Sequence, residues 1–136
     1  MITAVDTSVL VDVFDADARF GRGSAERLRE GFAEGSVVAC EIVWAEIAGR
    51  FASPAATRSA MTELGIEFSA TSEATAIAAG VAWKEYRRRG GQRERVIADF
   101  LIGAHAAAQA DRLLTRDRGF YRTYFKSLRL LDPTTP

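Results

Sequence analysis

The sequence predicts an α/β fold: a sandwich of helices and short strands with a mostly parallel sheet. Three observations predict it. Short apolar runs, "ITAV" at 2–5, "SVVAC" at 36–40 and "RLLT" at 112–115, read as strands. Helical stripes of about three turns separate them. The two kinds of segment alternate along the chain, which is the order of a parallel sheet.

Taken in order, Val5 closes a β-branched first strand, and Ser8 to Phe14 then reads as a helix capped by Thr7 or Ser8. Ala25, Leu28 and Phe32 fall at i, i+3 and i+7, a stripe ending near Gly31 or Gly35. The strand 36–40 follows, then a helix from Ile42 to Phe51. Ser53-Pro54 opens another helix, serine as cap and proline in the first turn, which runs to Gly65. "IEFSA" at 66–70 is a third strand. Thr71, Ser72 and Glu73 start a helix with Ala74, Ile77, Ala78 and Val81 on one face, ending near 87–91. A small-residue helix spans Ile97 to Ala110 and precedes the strand at 112–115. Residues 120–125 form an aromatic turn or short helix, and "LRLL" at 128–131 is the last strand.

The 136 residues suit a single domain, 1–136, with one core, and 48% hydrophobic with 26% charged residues is an ordinary globular composition. No apolar run approaches the ~20 residues of a membrane span. No signal peptide is expected, since Asp6 interrupts the opening run and no basic segment precedes it. Cys40 is the only cysteine, which excludes an internal disulfide or a thiolate metal site and suits a reducing cytosol. Net charge is zero, so no global basic field attracts nucleic acid.

Four acids stand out. Asp6 directly follows the first strand, inside the apolar "ITAVDTSVLV". Asp117 comes two residues after the strand that ends near Thr115. Parallel neighbouring strands would put both at one sheet edge, where such sheets bind ligands. Glu46 and Asp99 lie in the apolar helices "IVWAEIAGRF" and "VIADFLIGAHA", a setting that predicts partial burial. Each has a plainer reading alone: a helix cap for Asp6, a solvated acid for Glu46, a dipole-complementing acid for Asp99, and a turn former for Asp117. The functional reading needs all four together. Asp12, Asp15 and Asp17 read as a solvated run, and Glu41 competes with Glu46.

In order and spacing, "VDTSVLV", "VWAEIAGRF", "ADFLIGAHAAAQA" and "LLTRDRGF" resemble the PIN-domain ribonucleases, above all the VapC-type toxins of type II toxin–antitoxin pairs. The resemblance spans Asp6 to Leu131 and implies a three-layer fold, a mostly parallel sheet of about five short strands flanked by helices. It implies an acidic quartet at Asp6, Glu46, Asp99 and Asp117, with supporting hydroxyls at Ser8 and Thr115. It also implies an RNA substrate, a VapB-like antitoxin that blocks the site, and a homodimer.

The chemistry agrees. Two charges ~5 Å apart at an effective dielectric of ~20 repel by ~3 kcal/mol, and four acids contain several pairs. Against a domain stability of ~5–15 kcal/mol, such a cluster must be partly protonated, spread apart or filled by a cation. An oxygen-only donor set selects a hard ion, Mg²⁺ or Mn²⁺. That ion would bind a phosphate oxygen, lower the pKa of a water, and neutralise charge in the transition state. In-line attack by water would leave 5′-phosphate and 3′-hydroxyl ends. Asp6 and Asp99 are the expected primary ligands. Asp117 would hold a metal directly or through water, and Glu46 would complete the site or orient the attacking water. Ser8 and Thr115 would hydrogen-bond a carboxylate or a metal-bound water.

"RRRGGQRER" at 87–95 is the strongest basic patch; Arg87, Arg88 and Arg89 are candidate RNA contacts, against the alternative of a solvated helix end. Arg116 and Arg118 flank Asp117 and could contact phosphate or brace that carboxylate. His105 is the sole histidine; six residues after Asp99 it lies ~120° round the helix, so a packed or surface role is expected. Trp44, Trp83 and the aromatics of 120–125 read as core. The rival classes are a Mg²⁺-binding receiver-type regulatory domain, disfavoured by Thr7 and Ser8 after Asp6 and by Lys126 as the only late lysine, and a non-catalytic interaction module.

Overall fold

The computed structural model describes residues 1–91 and 96–134. Among these, five strands alternate with seven helices. The strands are β1 (Ile2–Val5), β2 (Ser36–Ala39), β3 (Glu67–Phe68), β4 (Arg112–Leu114) and β5 (Leu130–Leu131). The helices are α1 (Thr7–Phe14), α2 (Gly21–Glu34), α3 (Glu41–Ala48), α4 (Pro54–Leu64), α5 (Glu73–Arg88), α6 (Ile97–Gln109) and α7 (Arg118–Tyr124).

The strands form one sheet in the order β3-β2-β1-β4-β5, and every pair is parallel. Successive strand residues point to opposite faces. Thr3, Ala4 and Val5 are nevertheless all buried, as are residues 37–39 and 112–114. Helices therefore cover both faces, which makes three layers. The edge strands β3 and β5 have only two residues each, exposed in β3 and half-buried in β5. Strand order reverses at β1, whose neighbours are β2 and β4. In the register of β1 on β4, Val5 stands opposite Leu114, so the segments after both strands leave the sheet side by side. The N–H of Asp6 still donates to the Leu114 carbonyl at 3.0 Å, one step beyond the ladder.

Local chemistry sets the helix ends. Ser53 caps α4 by accepting from the Ala56 N–H, Pro54 occupies the first turn, and Gly65 ends the helix at φ +90°, a conformation open to glycine. Ser72 caps α5 in the same way. The first helix departs from expectation. Its cap is Asp6, whose Oδ1 accepts from the Thr7 N–H, so Thr7 is the first helical residue rather than the cap.

The inward face of α5 also differs from the predicted stripe. Thr75, Ala79 and Tyr86 are buried, whereas Ile77 and Val81 are 62% and 65% exposed. Two faces compete on this helix. The one carrying Trp83 and Tyr86 offers more aromatic area, and Tyr86 packs against Phe100 of α6 at 5.4 Å between centroids. The aromatics Phe100, Phe120, Tyr121, Tyr124 and Phe125 pack into one cluster joining α6 to α7 and the residue after it. Gly103 admits this cluster: a Cβ there would stand 2.4 Å from the Phe125 ring. Cys40 is a buried free thiol.

Candidate active site

Where β1 and β4 end, the sheet opens into a cavity of about 460 Å³ lined by Asp6, Thr7, Ser8, Glu46, Asp99, Ile102, Arg116 and Asp117. All four predicted acids are here, delivered by four separate segments. Asp6 sits between β1 and α1. Asp117 sits between β4 and α7. Glu46 comes from α3 and Asp99 from the first turn of α6, one turn before Ile102 on the same face. The place is the reversal of strand order, where parallel sheets leave a crevice.

Thr115 ties two of the acids together. Its hydroxyl donates to Asp6 Oδ2 at 2.7 Å and accepts from the Asp117 N–H at 3.0 Å. The hydroxyl of Thr7 donates to Glu46 Oε1 at 2.7 Å and so links the first acid's segment to α3. Asp99 accepts from the Val96 N–H at 3.3 Å, and Tyr121 Oη donates to Asp6 Oδ2 at 3.4 Å. Burial is the main force that pushes the Asp6 carboxyl up to about 6. The charges of Asp99 and Asp117 push the same way, while the bonds from Thr115 and Thr7 pull it back.

Several expectations change here. Glu46 is exposed rather than partly buried, since the cavity that it lines is open to solvent there. The hydroxyl of the D-T-S triplet that meets a carboxylate is that of Thr7. Ser8 lines the cavity without a side-chain hydrogen bond among the described residues. Glu41 is no rival to Glu46: it accepts from the Thr71 N–H at 2.8 Å, away from the cavity lining.

The aspartates of 12–17 are not one solvated run. Asp15 pairs with Arg50, and Asp17 accepts from the N–H groups of Arg19 and Phe20. Asp12 is 2% exposed and holds Arg116 through Nε at 2.8 Å and Nη2 at 3.1 Å. Arg116 thus braces Asp12 rather than Asp117. Arg118 pairs with Asp132 at 2.6 Å. Thr7, Ile102, Tyr121 and Asp12 were missed by the sequence reading. Only Asp12 left a signal, as a charge at i+3 from buried Val9 on an otherwise apolar stripe.

Arg87, Arg88 and Arg89 are not among the residues that line the cavity. Arg88 and Arg89 both bond Glu85, whose carboxyl they pull down to about 2, and Arg87 stacks on Trp83 with Cζ 5.0 Å from the ring. The remainder of that patch, 92–95, lies outside the described residues. His105 is buried against the Ser69 hydroxyl at 2.9 Å, a packed residue with no place in the cavity lining. Lys126, the lysine a receiver domain would need, is exposed and also absent from that lining.

Residues 3–126 match the family described as PIN domain. The chain belongs to the PIN-domain family. This PIN domain is similar in fold to a VapBC-1 structure from nontypeable Haemophilus influenzae, with a TM-score of 0.76 and 21% identity over 99% of this chain and 100% of that one. It is similar to VapBC2 from Rickettsia felis, solved bound to a DNA fragment from its promoter (TM-score 0.71, 21% identity, 97% and 98% covered). A toxin–antitoxin complex from Klebsiella pneumoniae gives a TM-score of 0.70 at 20% identity, with 98% and 99% covered. No curated protein sequence matches the chain.

Chemically, the PIN domain's site offers carboxylate, hydroxyl and guanidinium groups. Among the described residues no three acids are gathered tightly enough to hold a metal as a cage. The donor set still fits Mg²⁺ or Mn²⁺. Mg²⁺ usually takes one or two carboxylates and keeps several waters, so it needs no cage. No helix among the described residues is long and apolar enough to cross a membrane.

Proposed function

We propose that this PIN domain is a toxin-type endoribonuclease that hydrolyses RNA phosphodiester bonds with a divalent metal ion, Mg²⁺ or Mn²⁺. One observation carries the reading: Asp6, Glu46, Asp99 and Asp117, scattered along the chain, line one cavity at the carboxyl ends of β1 and β4. Asp6 and Asp99 would hold the ion, and Asp117 would hold it directly or through water. Bound there, the ion supplies a phosphate ligand, a lowered water pKa and a counter-charge for the transition state.

The protein's own residues have separate tasks. Asp6 is kept in place from three sides, by its N–H on Leu114, by Thr115 and by the Thr7 N–H. Thr115 fixes the spacing of Asp6 and Asp117 by bonding both. Glu46, held by Thr7 and open to solvent, would orient an attacking water and could accept its proton. The expected products carry 5′-phosphate and 3′-hydroxyl ends.

The solved structures similar in fold are VapBC and toxin–antitoxin complexes. This supports a VapB-like antitoxin as partner, with a homodimer and a cytosolic site of action as parts of the same proposal. Arg87, Arg88 and Arg89 are proposed only as outer contacts to the RNA strand.

The test is cleavage of a mixed RNA pool by the purified protein with Mg²⁺ or Mn²⁺. Cleavage is expected, together with its loss in Asp6→Asn and in Asp99→Asn. A folded wild-type protein that leaves the pool intact, or an Asp99→Asn variant that cleaves as well as wild type, overturns the reading.

A further inference from the structure

Arg116 is the only basic side chain that lines the acid cavity among the described residues. A carboxylate-lined site repels a phosphodiester, so a cation held in that lining is of particular weight. Its guanidinium is held on two sides. Asp12 takes Nε and Nη2 in a bidentate pair, and the Phe20 ring lies beneath with Cζ 4.0 Å from its centroid. Asp12 is in turn fixed by the Ser24 hydroxyl at 2.9 Å. Asp12 and Ser24 are buried at 2% and 0% exposure, whereas the Arg116 side chain keeps 28%.

This is a costly arrangement for a surface arginine. A buried carboxylate must be desolvated, and the pair repays that only if geometry is good. An ordinary solvated arginine beside Asp117 would need none of it. The pair consumes two of the five N–H donors of the guanidinium, and Nη1 has no hydrogen bond to any described residue. The free edge belongs to a side chain that lines the cavity, and its planar fork has already lost its rotamer freedom.

We propose that Asp12 is a positioning residue, which together with Ser24 and Phe20 locks Arg116 so that its free guanidinium edge receives a phosphate oxygen of the bound strand. The proposal rests on the nuclease reading and adds to it a phosphate contact that the carboxylates cannot make. Asp17, whose carboxyl also feels the charge of Arg116, lies on the exposed side of the cluster and keeps its bonds to Arg19 and Phe20.

The experiment uses the full chain and a labelled mixed-sequence RNA pool. Binding is read by anisotropy in an Asp99→Asn background, and cleavage kinetics with Mg²⁺ in the otherwise wild-type protein. Arg116→Lys keeps the charge and loses the fork; Asp12→Asn loosens the brace. Each is expected to weaken RNA binding and raise KM by about tenfold, with kcat changed far less. The double variant is expected to be no worse than the worse single, because the two residues act as a unit. Arg116→Gln is expected to flatten the salt dependence of binding by about one counterion. Ser24→Ala, a milder change, serves where Asp12→Asn does not fold, and is expected to raise KM in the same direction.

A purely structural pair would give the opposite result: lower melting temperatures with RNA affinity, salt slope and KM as in wild type. That outcome overturns the role of Asp12 while wild-type cleavage leaves the nuclease reading intact. A wild type that neither binds nor cleaves RNA overturns both.

Discussion

Asp6 carries the conflict between folding and function in a single side chain. It caps α1, an ordinary structural task, and it faces Asp99 and Asp117 across the cavity. With its carboxyl raised from 3.8 to about 6, the folded state binds the proton more tightly than the unfolded chain. The associated stability is present below pH 3.8 and lost as pH rises through about 6, so at neutral pH the metal-free protein bears the full cost. Asp6→Asn removes that charge and is expected to stabilise the metal-free protein by about 1–3 kcal/mol. Urea unfolding in EDTA at pH 7.5 checks this, and a variant less stable than wild type would contradict it. Thr115→Val keeps the shape and loses the hydroxyl that serves Asp6 and Asp117. It is expected to lower RNA cleavage by about 10–100-fold, measured as initial rate at saturating Mg²⁺.

At the scale of elements, what was legible in the sequence was what local chemistry decides. Ser53-Pro54 and Gly65 mark α4 because cap, first-turn proline and left-handed glycine act within one turn. The acids after β1 and β4 were legible because strands that end in a charge are conspicuous. The inward face of α5 was not, since Ile77 and Val81 compete with Thr75, Ala79 and Tyr86, and only the partner helix α6 decides between them. The brace from Asp12 to Arg116 was equally hidden, because it joins positions 104 apart in sequence. His105 belongs to this scale too, as the link from α6 to Ser69 after the edge strand β3. Burial lowers its pKa from 6.5, so the unfolded chain takes up its proton first. Its contribution is therefore present above pH 6.5 and lost as pH falls through the lower folded value. Unfolding of wild type and His105→Gln at pH 7.5 and 5.5 is expected to show that the wild type loses more of its stability on acidification. The difference between the two proteins isolates His105 from Asp6, whose contribution has the opposite sign between pH 3.8 and 6.

For the whole molecule, topology does what no element does alone. A sheet ordered β3-β2-β1-β4-β5 sets the first strand beside the fourth, and this brings Asp6 next to Thr115 and Asp117. Helices α3 and α6 then add Glu46 and Asp99 to the same cavity. With zero net charge, the proposed anionic substrate would rely on local positive charge, such as a cation on the acids and Arg116 at their edge. The most direct test is Mn²⁺ binding, read from the electron paramagnetic resonance signal of the free ion. Wild type is expected to deplete that signal, Asp6→Asn and Asp99→Asn to bind at least about tenfold more weakly, and Glu41→Gln, outside the cavity, to bind as wild type does. Equal Mn²⁺ affinity in wild type, Asp6→Asn and Asp99→Asn would contradict a metal site built from these acids.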